Sequence, residues 1–183
     1  MRVIVAVDDK PSSQAIIDAL IKMHWFEGTE ISLISVLPPG SGLGAETKQS
    51  VKVLEELEKL SEELRKALRQ CEVEYFAREG EPRHTILELA DETAADLIVL
   101  GSNCKNTLER LILGSVSQAV VNHASCPVIV AKTPCCLARE VSPAFRNILV
   151  PIDNSNFSDA AIRWLANFSW EPNTQFIVAA ITD

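Results

Sequence analysis

The sequence predicts an α/β fold: a doubly wound parallel sheet of five strands with helices on both faces, and a partial second copy behind it. Three observations carry this. Short apolar runs of strand length alternate with amphipathic stretches of helix length. Glycine and proline sit at the joints between them. And the opening of the chain recurs near its end at a fixed offset.

The first strand is Val3-Ile4-Val5-Ala6-Val7. A helix follows from about Ser12, with Ile16, Ile17, Leu20 and Ile21 on one face. The second strand, Ile31–Val36, runs into the turn-rich Pro38-Pro39-Gly40-Ser41-Gly42-Leu43-Gly44. A long helix is expected from about Ala45 to Cys71, its apolar positions stepping by three and four from Val53 to Leu68 and Cys71. Two or three such repeats read as a helix on a sheet before they read as a coiled coil. The third strand is Val73–Ala77, closed by Gly80-Glu81-Pro82, with Pro82 suited to a first helical turn. The next helix turns Ile86, Ala90 and Ala94 inward. Strand four, Leu97–Leu100, ends at Gly101; after a loop and a short helix, Gly114-Ser115 opens a helix through His123. Strand five is Pro127–Ala131.

Residues 133–146, with Pro134 and Pro143, break the pattern and read as a linker between a domain at 1–132 and a partial one at 147–183. The repeat has no gaps: Val5, Asp8, Ser13, Ala15, Leu20, Trp25 and Thr29 return as Val150, Asp153, Ser158, Ala160, Leu165, Trp170 and Thr174. One βαβ unit cannot cover both faces of a sheet by itself, so it packs on the first domain, joins another chain or belongs to a longer tandem.

Composition excludes several classes. Apolar residues make up 47% of the chain and charged ones 23%, which argues for a core and against disorder. The net charge is −8 and the basic residues are scattered, which argues against a nucleic-acid surface. The run Val3–Val7 is too short for a signal peptide and no stretch approaches a membrane span, so a cytoplasmic protein is expected. The five cysteines (Cys71, Cys104, Cys126, Cys135, Cys136) lack zinc-type spacing and read as reduced thiols. No Walker string or nucleophile elbow occurs, and the glycines after the second strand lack the dinucleotide register, so a flexible loop is expected there. His24, His84 and His123 are expected on helices, without a catalytic motif.

In a doubly wound sheet, ligands bind beyond the carboxyl ends of the strands where strand order reverses. Asp8 and the loop after Gly101 converge there if strands one and four are neighbours. Gly114 and Ser115 add backbone N–H groups at a helix N-terminus, an anion site. Each has a plainer role as well. Asp8 can close an Asx-turn, Gly101 can end a strand, and Ser115 with Gln118 spells a capping box.

The strings Gly80-Glu81-Pro82, Asp96-Leu97-Ile98-Val99-Leu100-Gly101-Ser102, Leu113-Gly114-Ser115-Val116-Ser117 and His123-Ala124-Ser125-Cys126-Pro127-Val128 resemble the universal stress protein domain. The resemblance implies a sheet of order 3-2-1-4-5, as in the adenine nucleotide alpha hydrolase-like folds. It also implies ATP or another adenine nucleotide, with Mg²⁺ or Mn²⁺ arriving on the phosphates. The implied contacts are Ala6, Val7, Asp8, Val36, Leu100, Gly101, Ser102, Cys104, Gly114, Ser115, Val116 and Ser117. Many members carry G-x-x-G and then, nine residues on, G-[ST]. Here Cys104 replaces the second glycine, and a Cβ there makes positive φ costly and crowds a triphosphate.

Two readings therefore stand: a nucleotide binds despite Cys104, or the chain is a dimeric scaffold that binds none. Retention of Asp8 and Gly114-Ser115 favours the first. A third reading, a redox sensor through Cys104 beside a helix N-terminus, ranks below both. The resemblance further implies a homodimer paired through Val128–Val130, with binding as the function and at most slow hydrolysis.

Overall fold

The computed structural model describes residues 1–183 apart from 9, 46, 103–112, 133–144, 154, 169 and 181–183, and gives no side-chain placement at 10–12, 45, 102 and 132. Cys104, Cys135, Cys136, the expected short helix and most of the expected linker lie outside the described residues.

Strands β1 (Arg2–Ala6), β2 (Thr29–Leu37), β3 (Cys71–Glu79), β4 (Leu97–Ser102) and β5 (Val128–Lys132) form one sheet in the order β3-β2-β1-β4-β5, every pair parallel. The expected doubly wound sheet and its strand order are both present. The helices are α1 (Lys10–Ile21), α2 (Lys48–Ala67), α3 (Pro82–Glu92) and α4 (Ser115–His123). Apolar residues alternate along the strands and so build two cores. Val3, Val5, Ile31, Leu33, Leu97 and Val99 pack with α1 and α2, while Ile4, Ile34, Ile98 and Leu100 pack with α3 and α4. Each fully buried Leu or Ile contributes on the order of 1.5–3 kcal/mol relative to exposure.

Four expectations are corrected. Helix α2 is shorter than its periodicity suggests: it starts at a Thr47 cap and ends at Ala67, and Cys71 begins β3 instead. Its Leu57, Leu60 and Leu64 are buried against the sheet. Ala94 is not on a helix, because α3 stops at Glu92 and Ala94 takes φ +47°. The N–H of Ala95 returns to the carbonyl of Ala90 (2.8 Å), the six-to-one bond of a Schellman ending that glycine usually supplies. Ser115 forms no capping box: Gly114 is the cap residue of α4 and Ser115 is its first helical residue. His24 lies beyond the end of α1, whereas His84 and His123 are on α3 and α4.

Pro82 opens α3 as expected, behind a Glu81 carboxylate that accepts from the N–H of His84. Gly80 before it packs closely on α3: a Cβ there falls 2.3 Å from Thr85 Oγ1, so a side chain at 80 requires Thr85 to change rotamer.

The C-terminal unit comprises β6 (Asn147–Ile152), α5 (Asn156–Asn167) and β7 (Gln175–Ala180), with β6 and β7 parallel. It reproduces β1-α1-β2 in detail. Arg2 pairs with Glu30 and Asn147 with Gln175, each partner 145 positions later. Trp25 Nε1 donates to the carbonyl of Leu20 (2.8 Å), and Trp170 Nε1 to that of Leu165 (2.7 Å). The unit touches the first domain through aromatic rings: Phe168 meets Trp25 edge-on at 5.8 Å and stacks with Trp164 at 5.2 Å.

Candidate functional site

Strand order reverses at β1: the chain works outward from β1 through β2 to β3, then returns to the other side of β1 with β4. A cavity of about 460 Å³ opens at this point, beyond the carboxyl ends of the strands. Its walls come from Ala6, Val7 and Asp8 after β1, Ile34 and Val36 of β2, and Leu100 and Gly101 of β4. Pro82 and Ile86 of α3 close one side, and Gly114, Ser115, Val116 and Ser117 at the start of α4 close another.

Two hydrogen bonds fix the mouth. The N–H of Val7 continues the ladder past β1 to the carbonyl of Ile34 (2.9 Å), so Asp8 leaves the sheet at its rim. The hydroxyl of Ser117, a buried residue, donates to the carbonyl of Gly101 (3.0 Å) and ties the first turn of α4 to the end of β4. Ser117 thus holds the two motifs together.

The N-terminus of α4 carries the electrostatics. Its cap is a glycine, which has no side chain to accept from the first turn, so the N–H groups there and the positive end of the helix dipole offer an anion site at the cavity wall. Around this polar end the cavity is mostly apolar. A flat heterocycle can lie against Val36, Ile86 and Leu100, with Asp8 offering acceptors at its edge.

Ten of the twelve residues singled out from the sequence line this one cavity. Of the other two, Ser102 ends β4, where its backbone pairs with Lys132 and its side-chain placement is not described; Cys104 lies outside the described residues. Ile34, Pro82 and Ile86 line it too and were missed. The four-residue step from Pro82 to Ile86 on one helix face was the available signal.

The glycine-rich loop after β2 is an ordered turn. Gly40 and Gly42 have φ +80° and +75°. The carboxylate of Glu79, last residue of β3, accepts from the N–H of Leu43 (2.7 Å) and of Gly40 (3.1 Å). These bonds, Leu43 first, then Gly40 and Gly42, hold the Glu79 carboxyl below the usual range. A depressed folded-state value means this support is complete above the ordinary glutamate range, about pH 4.3, and is lost as pH falls through the lowered value. Amide exchange at Gly40 and Leu43 is therefore expected to accelerate, relative to its intrinsic rate, on acidification below pH 4. In Glu79→Gln the protection is expected to be low at every pH.

The repeat's aspartate does something else. Asp153 accepts from the N–H of Ser155 (3.0 Å) and is held acidic first by the Ser155 hydroxyl, so it closes the turn into α5. Burial raises the thiol pKa of Cys71 and Cys126, which disfavours thiolate chemistry at both. Among the described residues no cluster of three or more His, Cys, Asp or Glu could hold a metal ion, and no helix is long and apolar enough to cross a membrane.

The model of the universal stress protein family matches residues 1–132. The chain belongs to that family. A universal stress protein of Methanocaldococcus jannaschii is 50% identical over 56 residues, 31% of this chain and 33% of that protein, so the chain matches about a third of that relative's length. Among solved structures, the universal stress protein of Archaeoglobus fulgidus in complex with dAMP is 26% identical. It has a TM-score of 0.53, with 71% of this chain and 96% of that chain covered. Another universal stress protein, from Archaeoglobus fulgidus DSM 4304, covers 100% of this chain with 66% of its own (TM-score 0.70), and at 19% identity this likeness shows the fold alone.

Proposed function

We propose that this universal stress protein is a regulator that binds an adenine nucleotide and dimerises, acting by binding rather than turnover. The observation that carries the reading is the cavity itself: mostly apolar walls, Asp8 at one end and a helix N-terminus with a glycine cap at the other. The dAMP held by the Archaeoglobus relative supports the ligand class. In this arrangement the base lies between Val36 and Leu100, Asp8 accepts from the ligand, and the phosphate meets the backbone of Ser115 and Val116. A Mg²⁺ or Mn²⁺ ion enters with the phosphates of ATP, not through a protein cage. No Walker-type lysine stands in the sequence to drive phosphoryl transfer.

The dimer is proposed at the β5 edge, the end of the sheet beyond β4. The carbonyl of Pro127 accepts from Ile98 of β4, so by alternation Val128 and Val130 direct their backbone groups outward. Val130→Pro removes one outward donor without touching the β4 ladder.

Calorimetric titration of nucleotide-stripped protein with AMP and with MgATP, repeated on Cys104→Gly, tests the ligand. Micromolar binding by the unmodified chain is the expected result. Binding only in Cys104→Gly places the block at that one side chain. Silence in both variants with both ligands overturns the nucleotide reading and leaves the dimeric scaffold.

A further inference from the structure

Ser117 is the third residue of α4, and it directs its hydroxyl to the sheet. Val120, three positions on and fully buried, sets the same face of the helix inward. Ser117 is itself 5% exposed and lines the cavity, and its hydroxyl donates to the carbonyl of Gly101 at 3.0 Å. A carbonyl has no proton to give, so the direction of this bond is fixed. The single proton of the serine is committed to it.

The aim of that carbonyl gives the bond its consequence. The N–H of Ile98 goes to Pro127 beside β5, so by alternation the backbone groups of Val99 and Gly101 turn toward β1. The pairing of β1 with β4 ends at Ala6 and Leu100. The Gly101 carbonyl therefore lies one position past the last rung, directed into the cleft where the cavity opens. Its oxygen carries partial negative charge. Left bare beside a mostly apolar cavity, it would oppose the positive end of the α4 dipole and repel an anion there.

We propose that Ser117 is a positioning residue for the ligand phosphate and acts through Gly101 rather than by touching the phosphate. This role rests on the nucleotide reading above. The hydroxyl covers the Gly101 carbonyl and so removes the repulsion. The same bond ties residue 117 to residue 101, which holds the first N–H groups of α4 beside the end of β4 before any ligand arrives. Ser117 thus sets both the sign of the field at that end of the cavity and the place of its donors. A direct phosphate contact by Ser117 needs the same proton, so it requires this bond to break.

The test compares the full nucleotide-stripped chain with Ser117→Ala and Ser117→Thr, titrated calorimetrically with AMP and with adenosine. If only Cys104→Gly binds, the same comparison is made in that background. Ser117→Ala is expected to weaken AMP by about tenfold or more and adenosine by less than about threefold, because only AMP brings a charge to that end. Ser117→Thr keeps the donor and is expected to keep both affinities. A crystal structure of the AMP complex is expected to retain the Ser117 to Gly101 bond at its present 3.0 Å. Equal losses for the two ligands, no loss in Ser117→Ala, or a loss as large in Ser117→Thr overturns the role of Ser117. So does a complex in which the hydroxyl has left Gly101 for the phosphate. Silence toward both ligands, with and without Cys104→Gly, overturns the nucleotide reading itself and this role with it.

Discussion

Ser115→Asp is expected to move stability and ligand affinity in opposite directions. Residue 115 is the first of α4, its side chain is exposed, and the cap before it is a glycine with no side chain to bond the first turn. A carboxylate in this first turn meets the positive end of the helix dipole and stabilises the fold by about 0.3–1 kcal/mol. The same charge occupies the position assigned to the ligand phosphate. Losing one charge-assisted contact there costs about 1.5–3 kcal/mol, which is roughly a 10- to 100-fold weaker Kd for AMP, and repulsion adds to it. Adenosine, which has no phosphate, should bind nearly as before. Urea melts give the first quantity and parallel titrations with AMP and adenosine give the second. Unchanged AMP affinity in the more stable variant would place the phosphate away from α4.

How legible the molecule is in its sequence depends on which contacts set each feature. β1 and β4 are buried on both faces over Val3–Val5 and Leu97–Leu100, so each reads as an unbroken apolar run, while β2 interleaves Ser32 and Ser35 with its buried Ile31, Leu33 and Ile34. The edge strand β3 alternates Glu with apolar residues, and its start at Cys71 was masked by the helical spacing running into it. Ala94 ends a helix in a conformation that glycine usually marks, which leaves no sign in the residue type. Asp8 and the Gly114–Ser117 segment were readable because strand ends and helix starts carry their own residue chemistry. Ile34, Pro82 and Ile86 were not, since their place at the cavity depends on how α3 crosses the sheet. The Glu79 contact with Gly40 and Leu43 joins residues 39 and 36 positions apart, and no local pattern announces it.

Ile17→Ala and Ile162→Ala remove the same atoms from repeat-related positions and are expected to differ sharply. Ile17 is fully buried between α1, β4 and β5, so truncation removes its transfer energy and leaves a cavity. The expected loss is about 2–5 kcal/mol, a large share of the roughly 5–15 kcal/mol that holds a domain folded. Ile162 lies on α5, none of whose residues is buried among the described residues, and 41% of it remains exposed. In this chain the truncation of Ile162 is expected to cost no more than about 0.5 kcal/mol. Denaturant melts of both variants measure the difference directly. Equal losses at the two positions would mean that Ile162 is as closely packed in solution as Ile17. Identical side chains on repeat-related helices are worth what their neighbours make them worth, so the gap between the two losses measures what β4 and β5 contribute beneath α1.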